Sequence, residues 1–305
     1  MFRIVELSRR GIKLGIRDEC LIVTADDSAP AAVPLAELSV VLLSEPALTV
    51  SGAVLSALSE CRIPLVVCDR RAMPTGVLAG VSSSANDADR VIRAQFSQSS
   101  AANGRLWRKL VCAKINGQAK VLNKWRRSHA LDSLERRVRS GDPENVEGRA
   151  SAIYWRELGV FERRSRCRDD ANAFFNYAYT VLYSAFAREI AVAGLLPRLG
   201  IFHHCRDNTF PLASDLMEPF RPVVDDAVLT VLAECGDDRL NSGTKRRLLE
   251  KLYASSFSAA DGTTSLFAAI RLSVQSYKRM LLIGDAKNFS MPKWKMMKDV
   301  ADSVV

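Results

Sequence analysis

Two carboxylates, Asp215 and Glu218, stand three residues apart in the segment PLASDLMEPFRPVVDD (Pro211–Asp226). We predict a helix here, which would place both carboxylates on one face and the apolar residues of the segment on the other. Acidic side chains beside a core-facing stripe indicate a polar cleft that could bind a cation. An equally good interpretation is that Asp215 only stabilises the amino-terminal end of this helix through its dipole.

The three histidines of the chain are His129, His203 and His204. The last two follow GLLPRLGIF (Gly194–Phe202), in which two glycines and a proline end a helix and redirect the chain. Neighbouring side chains point in different directions, so at most one of His203 and His204 would serve a given site.

A further carboxylate, Glu147, lies at the start of a predicted helix. Its spacing alone is better explained by an acidic residue in a first helical turn. Two carboxylates and one imidazole would form a mixed oxygen and nitrogen ligand set, which suits Mg²⁺ or Mn²⁺, and the imidazole favours Mn²⁺. The run His203–Cys205 is a poor zinc site, because three consecutive side chains do not easily converge on one ion.

Other chemistries lack their motifs. The sequence contains neither the GxxxxGK[ST] loop of nucleotide-binding proteins nor the GxSxG elbow of serine hydrolases. Seven cysteines, an odd number without a CxxC pair, indicate reduced thiols in a cytoplasmic protein.

Positive charge is concentrated in one part of the chain. Between Gly104 and Arg168 there are seventeen Lys or Arg and seven Asp or Glu, so this segment carries +10, whereas the whole chain carries +9. A concentrated basic segment favours a polyanionic partner such as DNA, although a solvated helical face would have the same composition.

The elements that must position these residues change along the chain. The first eighty residues contain β-branched and apolar runs typical of strands, separated by turns. Predicted strands are Ile4–Leu7, Ile12–Ile16, Cys20–Thr24, Val40–Leu43 and Leu65–Cys68, and a helix with Ser51 as its cap is predicted over Val50–Cys61. Pro74, Gly76, Gly80 and SSSAND (Ser82–Asp87) predict a turn followed by a linker.

Helical periodicity dominates after residue 88. Predicted helices cover Leu106–Arg127, Gly148–Leu158, Asp170–Ala193, Asp225–Cys235, Lys245–Tyr253, Leu266–Leu282 and Lys293–Val300. The fold class is therefore α+β, with a small β-rich domain (1–82), a linker (83–92) and a larger helical domain (93–305).

The composition is that of a soluble globular protein, with 48% hydrophobic and 25% charged residues. The amino terminus lacks the apolar segment of a secretory signal. The uncharged stretch Ala171–Ala187 contains several polar residues, so we predict a buried helix here and no membrane span.

Three segments together resemble the family of CRISPR-associated spacer integrases. They are SDLMEPFRP (Ser214–Pro222), preceded by GIFH ending at His203; VEGRASAIYW (Val146–Trp155); and LWRKLVCAKINGQAKVL (Leu106–Leu122). The amino-terminal segment from VPLAELSVV to MPTGVL is similar to the sheet domain of that family, so the resemblance implies that domain 1–82 is the dimerisation domain and domain 93–305 the catalytic domain. The resemblance extends from near residue 4 to near residue 230, and the form SDLMEPFRP looks most like the integrases of type II systems.

The resemblance implies a metal site at Glu147, His203 and Glu218, with Asp215 as a supporting carboxylate and His204 as a bystander. It also implies a Mn²⁺- or Mg²⁺-dependent integrase that joins the 3′-hydroxyl ends of prespacer DNA to the CRISPR array by transesterification, with nuclease activity as the related hydrolysis. The implied partners are double-stranded DNA, a second copy of the chain, and a small second adaptation protein that bridges two dimers. The type II form adds the effector nuclease and an accessory adaptation protein.

Two alternatives remain at this point. One is a stand-alone, structure-selective DNA nuclease of repair that never integrates. The other is a DNA-binding scaffold without enzymatic activity, in which the acidic residues would be structural.

Overall fold

The computed structural model describes most of the chain and divides it into two compact units. The described residues are 3–26, 28–69, 74–78, 80, 85–159, 169–203, 208, 210–235, 239–259 and 262–296. The first unit comprises Met1–Ser97 and Thr180–Ser214, and the second comprises Gln98–Tyr179 and Asp215–Val305.

Two four-stranded sheets form the amino-terminal part of the first unit. In the first sheet the order is β1 (Arg3–Leu7), β5 (Leu38–Leu43), β7 (Leu65–Cys68) and β8 (Pro74–Leu78). In the second sheet the order is β4 (Ser28–Pro34), β3 (Cys20–Ala25), β2 (Lys13–Arg17) and β6 (Thr49–Val50). The pairs β1–β5 and β5–β7 are parallel, whereas β8 is antiparallel to β7.

The predicted strands and the first helix are confirmed. Helix α1 covers Gly52–Glu60, and the Ser51 hydroxyl caps it by accepting a hydrogen bond from Val54 N at 3.4 Å. Its apolar face packs into a core that includes Leu21, Val54 and Leu58, which are all fully buried. Strands β4 and β8 were not predicted, because β4 is largely exposed and Pro74 and Gly76 of β8 indicate a turn.

Helices dominate after the sheets, which confirms the α+β class. They are α2 (Ala85–Phe96), α3 (Ser100–Arg126), α4 (Val146–Leu158), α5 (Asp169–Val192), α6 (Pro211–Met217), α7 (Arg221–Cys235), α8 (Ser242–Ala254) and α9 (Leu266–Ile283). Six of them match predicted helices, five to within about four residues at each end, whereas α3 begins six residues before its predicted start at Leu106. Helix α2 begins inside the segment predicted as a linker (83–92), and the proposed domain boundaries stay a prediction.

Helix α3 is the longest helix of the described residues and organises the second unit. Its start is fixed by Ser99, whose hydroxyl accepts a hydrogen bond from Ala102 N at 3.2 Å. Where α3 meets α7, a Cβ added to Gly117 would lie 2.9 Å from Pro222 Cγ. Only glycine allows the two helices this close approach.

The prediction of a helix over Lys293–Val300 is wrong where the structure can test it. Lys293–Lys295 form strand β11, which pairs with β9 (Ser256–Ala259), and β9 also pairs with β10 (Gly262–Ser265). The local sequence could not show that Lys293–Lys295 would pair with an edge of strand β9. Residues 297–300 lie outside the described residues.

Two further predictions concern membrane spans and cysteines. Within the described part of the chain, no helix is both long and apolar enough to cross a membrane. The described cysteines are free thiols: Cys20, Cys61, Cys68, Cys112 and Cys235.

Candidate metal centre

The side chains of Glu147 and Glu218 meet at the ammonium group of Lys114. Lys114 Nζ lies 2.5 Å from Glu218 Oε2 and also contacts Glu147 Oε1. The Lys114 and Glu218 side chains are each 9% exposed, and that of Glu147 is 24% exposed. Two carboxylates that lie 71 positions apart in the sequence thus share one cation.

Contacts at the amino-terminal end of α4 fix the position of Glu147. The Asp142 carboxylate accepts hydrogen bonds from the backbone N–H groups of Val146 and Glu147, both at 2.9 Å. Asn145 caps the helix, and the Ser151 hydroxyl donates to Glu147 Oε1 at 3.2 Å. Glu147 therefore occupies the first turn, as its spacing suggested, and also points its carboxylate at Lys114.

Glu218 begins a short 3₁₀ turn, Glu218–Phe220, between α6 and α7. Arg221 Nε donates a hydrogen bond to Glu218 Oε1 at 2.9 Å. Burial opposes the ionised form, but the positive charges of Arg221 and Lys114 outweigh it and lower the pKa of Glu218. The carboxylate is therefore ionised at neutral pH.

The second oxygen of Glu218, Oε2, is buried and accepts no directed hydrogen bond from the described residues. Its one ion-pair contact in the described part of the chain is with Lys114 Nζ, at 2.5 Å. A buried carboxylate oxygen in this state has a free lone pair that could bind a cation.

Arg221 also contacts a buried network of polar side chains. The Arg221 guanidinium carbon lies 4.8 Å from the centre of the Tyr179 ring. The hydroxyl groups of Tyr179 and Tyr154 both donate to the carboxylate of Asp225, the latter at 2.9 Å. Complete burial raises the pKa of Asp225 to about 7, although the two hydroxyl groups and Arg221 act in the opposite direction.

His203 belongs to the first unit, where it follows α5. It is half-buried, and its ring lies edge-on to that of Phe202 with 5.5 Å between the centres. A few residues later, Asn208 Nδ2 donates to Ser214 Oγ at 2.9 Å. His204 lies outside the described residues.

Asp215 is fully buried in α6. Burial raises the pKa of Tyr277 in α9, and the negative charge of Asp215 adds to this effect. Asp215 thus acts electrostatically on Tyr277, and its supporting role at a metal site stays a prediction.

The structure brings together two of the three predicted ligands. Among the described residues, no group of three or more His, Cys, Asp or Glu side chains is arranged to hold a metal ion. The place of His203 in the ligand set therefore stays a prediction.

Sequence reasoning missed Lys114 and Arg221. Lys114 continues the buried stripe of α3 that contains Leu106, Leu110 and Gln118, so a lysine at a core position was the available signal. Arg221 lies three residues after Glu218, a spacing at which side chains meet on a helix.

The residues present fit a divalent cation. Glu147 and Glu218 offer oxygen ligands, which Mg²⁺ and Mn²⁺ prefer. They already converge on one cationic group, and Glu218 Oε2 has no other partner among the described residues.

The described part of the basic segment, residues 104–159, divides into paired and exposed cations. Lys124 pairs with Asp226 at 3.0 Å. Arg136 and Arg137, in a 3₁₀ turn, are exposed. The last arginines of the segment, in 160–168, lie outside the described residues.

Comparisons with known proteins give the family of the chain. Residues 5–236 match the family described as CRISPR associated protein Cas1. A CRISPR-associated endonuclease Cas1 from Neisseria meningitidis serogroup C is 31% identical over 301 residues, which are 96% of this chain and 97% of the relative.

Two solved structures share the fold at low sequence identity. A casposase bound to an integration product has a TM-score of 0.79 and 18% identity, and the match covers 98% of this chain and 97% of the casposase. A chain of a Cas6-RT-Cas1–Cas2 complex has a TM-score of 0.75 and 18% identity, with 97% and 36% covered. The extent of the family match and the identity to the Neisseria relative show that this chain belongs to the CRISPR associated protein Cas1 family.

Proposed function

We propose that this protein is a divalent-metal-dependent DNA integrase and endonuclease of CRISPR spacer acquisition. It joins the 3′-hydroxyl ends of prespacer DNA to the CRISPR array by transesterification. The observation that carries the proposal is the convergence of Glu147 and Glu218 on one cationic group, in a chain of the Cas1 family. The Neisseria relative is named an endonuclease, and the similar casposase is bound to an integration product.

Glu147 and Glu218 would hold Mn²⁺ or Mg²⁺, and His203 is proposed as a third ligand. A divalent ion supplies the chemistry that the reaction needs. It lowers the pKa of the attacking hydroxyl, neutralises charge on the scissile phosphate, and orients the hydroxyl toward the phosphate. No covalent protein nucleophile is required.

The residues around the two carboxylates have separate tasks. Arg221 holds Glu218 Oε1, which leaves Oε2 directed toward the cation position. Ser151 and the capped start of α4 fix Glu147. Lys114 neutralises the carboxylates in the metal-free protein and keeps them from repelling each other.

Exposed cations of the basic segment would contact the DNA backbone, which positions the duplex without reading its sequence. The proposed partners are double-stranded DNA, namely prespacer and CRISPR repeat, and a second copy of the chain. A small second adaptation protein would bridge two such dimers; the similar chain in a Cas6-RT-Cas1–Cas2 complex supports this partner. The effector nuclease and an accessory adaptation protein are further proposed partners.

The test is a half-site integration assay with labelled prespacer DNA, a CRISPR array and Mn²⁺, with and without the small second protein. The matched control is a prespacer with 3′-dideoxy ends, which lacks the attacking hydroxyl but can still be bound. Strand transfer that occurs with 3′-hydroxyl ends and does not occur with 3′-dideoxy ends supports the proposal. Cleavage of branched DNA without any strand transfer would indicate a stand-alone nuclease, and DNA binding without either reaction would indicate a scaffold.

A further inference from the structure

The side-chain amide of Gln95 binds the loop that leads to His203. Gln95 lies one residue before the end of α2 and is 6% exposed. Its Nε2 donates hydrogen bonds to Leu196 O at 2.9 Å and to Leu199 O at 3.1 Å, and its Oε1 accepts one from Leu196 N at 2.9 Å. Both ends of the amide therefore bind a loop that begins 101 positions later in the sequence.

Packing alone does not explain a glutamine at this position. Val91 lies one helical turn earlier on the same face of α2 and is buried, whereas the neighbouring Phe96 is exposed. A leucine could fill the same buried space, and burial of an amide costs free energy unless the amide is hydrogen-bonded. The backbone groups of the loop are what make a glutamine suitable here.

The loop lacks regular structure of its own and needs such a partner. Gly194 has a left-handed backbone with a φ of 72°, and Pro197 has no N–H group to donate. Leu199 N donates to Leu196 O at 3.2 Å, which closes a turn over residues 196–199. Gln95 therefore binds the backbone oxygens at both ends of this turn.

The 196–199 turn is also fixed from α6. Leu212 N donates to Pro197 O at 3.2 Å. Beyond the turn, Ile201 is buried and anchors the short stretch that connects Leu199 to His203. His203 follows the turn by four residues, so a shift of the turn would move its imidazole.

The chain is held again after His203. Asn208 Oδ1 accepts a hydrogen bond from Phe210 N at 3.1 Å, while its Nδ2 binds Ser214 as described above. Two side-chain amides thus restrain the chain, one on each side of the histidine. A ligand that is already restrained loses less conformational freedom when it binds an ion, which increases the affinity.

We propose that Gln95 is a positioning residue of the metal site and acts on His203 through the 196–199 turn. The proposal rests on the proposed function, in which His203 is a metal ligand. Groups that orient a ligand without touching the ion contribute about 10- to 100-fold to metal affinity. Gln95 acts through the backbone and does not bind the imidazole directly, so we expect an effect at the lower end of this range.

A double-mutant cycle on the full-length protein tests this role. Calorimetry without DNA measures the Kd for Mn²⁺ in the wild type, in Gln95→Met, in His203→Ala and in the double variant. Methionine has nearly the shape of glutamine but cannot donate to the two backbone oxygens. Gln95→Asn keeps the amide on a shorter side chain and is the milder variant, in case Gln95→Met does not fold.

The matched control is Asn241→Ala. Asn241 is also an amide that binds backbone groups, because its Oδ1 accepts hydrogen bonds from Gly243 N and Thr244 N at 2.9 and 3.0 Å at the start of α8. Its loss should lower the melting temperature, as the loss of a helix cap does, and leave the affinity for Mn²⁺ unchanged.

We expect the Kd for Mn²⁺ to rise about tenfold in Gln95→Met. In the His203→Ala background the same change should alter the Kd by less than about twofold, because the side chain through which Gln95 acts is absent. Additive effects of the two changes, or an equal effect of Asn241→Ala, would indicate a general loss of stability and overturn the proposal.

Histidine resonances provide a second readout. The chain has three histidines, so ¹⁵N-histidine labelling gives a simple NMR spectrum that single His→Gln variants assign. Small amounts of Mn²⁺ should broaden the His203 signal of the wild type but not that of His129, which pairs with Asp132. In Gln95→Met the His203 signal should stay sharp at the same Mn²⁺ concentration. Equal broadening of His203 in both proteins would contradict a positioning role.

The positioning role and the proposed function can fail separately. A higher Kd in His203→Ala together with an unchanged Kd in Gln95→Met would reject the role of Gln95 and leave the integrase standing. An unchanged Kd in His203→Ala would remove both residues from the metal site, and strand transfer in the half-site assay would still decide the integrase.

Discussion

Gly117 of α3 and Pro222 of α7 are so close that a Cβ on Gly117 would lie 2.9 Å from Pro222 Cγ. This approach brings α3 against the segment that carries Glu218. Lys114 lies three residues before Gly117, and Glu218 lies four before Pro222. The contact of Lys114 with Glu218 therefore depends on the absence of a side chain at Gly117.

Gly117→Ala should destabilise the protein, because the proline ring cannot move as freely as a long side chain could. We expect the free energy of unfolding to fall by about 1–2 kcal/mol, since overpacking outweighs the higher helix propensity of alanine. Urea denaturation measures it. The control is Gly52→Ala in α1, where nothing lies within 4 Å of the added Cβ. Equal changes in the two variants would contradict the role of close packing.

Glu147→Ala, Glu218→Ala and His203→Ala should each abolish Mn²⁺-dependent strand transfer and leave DNA binding largely intact, because under the proposed function these groups bind the ion and not the DNA. Glu218→Gln serves as a second variant that keeps the shape of the buried side chain. Glu144→Ala is the control, because Glu144 is exposed and pairs with Arg139. Retained activity in any ligand variant would remove that residue from the set.

Lys114→Met should raise the affinity for Mn²⁺. Without the ammonium group the two carboxylates repel each other, and a metal ion no longer has to displace a cation. We expect a Kd about tenfold lower, which corresponds to about 1.4 kcal/mol. Calorimetry measures it, and melting temperatures should show lower stability without Mn²⁺ and a larger gain with it.

The control for Lys114→Met is Lys124→Met, which breaks an ion pair with Asp226 away from the two carboxylates. An unchanged or weaker affinity for Mn²⁺ in Lys114→Met would show that Lys114 supports the metal site and does not compete for it.

Asp225→Asn should change how stability depends on pH. The pKa of Asp225 is raised in the folded protein to about 7 from its ordinary 3.8, so folding favours the protonated form. Its contribution to stability is complete below pH 3.8 and is lost as the pH rises through 7. Asparagine cannot ionise, so between pH 5 and pH 8 the wild type should lose about 3 kcal/mol more than the variant.

Urea denaturation at several pH values gives this difference directly. Parallel pH profiles of wild type and Asp225→Asn would show that Asp225 is ionised in the folded protein throughout the range.

DNA affinity should fall as salt increases, because phosphate contacts release counterions. Replacing the exposed Arg136 and Arg137 by alanine should lower the slope of log Kd against log salt by up to about two. Fluorescence anisotropy over a salt series measures the slope. A DNA affinity that does not respond to salt would reject backbone contacts by this segment.

Local patterns in the sequence predicted the elements that depend on local interactions. Ser51 was recognised as a cap, and the periodicity of α4, α5 and α9 gave helices close to their observed bounds. Strand β11 was missed because it depends on pairing with β9, more than thirty residues earlier. No local pattern records such a partner.

The candidate site shows the same limit. Chemistry and family resemblance predicted Glu147 and Glu218 as ligands, and the structure brings both carboxylates to Lys114. Lys114 and Arg221 were missed, because their importance comes from contacts between segments far apart in the chain. The packing of α3 against α7 creates those contacts.

Both units are discontinuous in the chain, and this affects the order in which a growing polypeptide can complete them. The sheet core from Leu7 to Leu65 leaves the ribosome early and contains its own apolar cluster. Glu147 follows, but Glu218 emerges only after the chain has added the remaining part of the first unit, which ends at Ser214. A chain that ends before Glu218 therefore has one of the two carboxylates, and under the proposed function we expect it to lack a complete metal site.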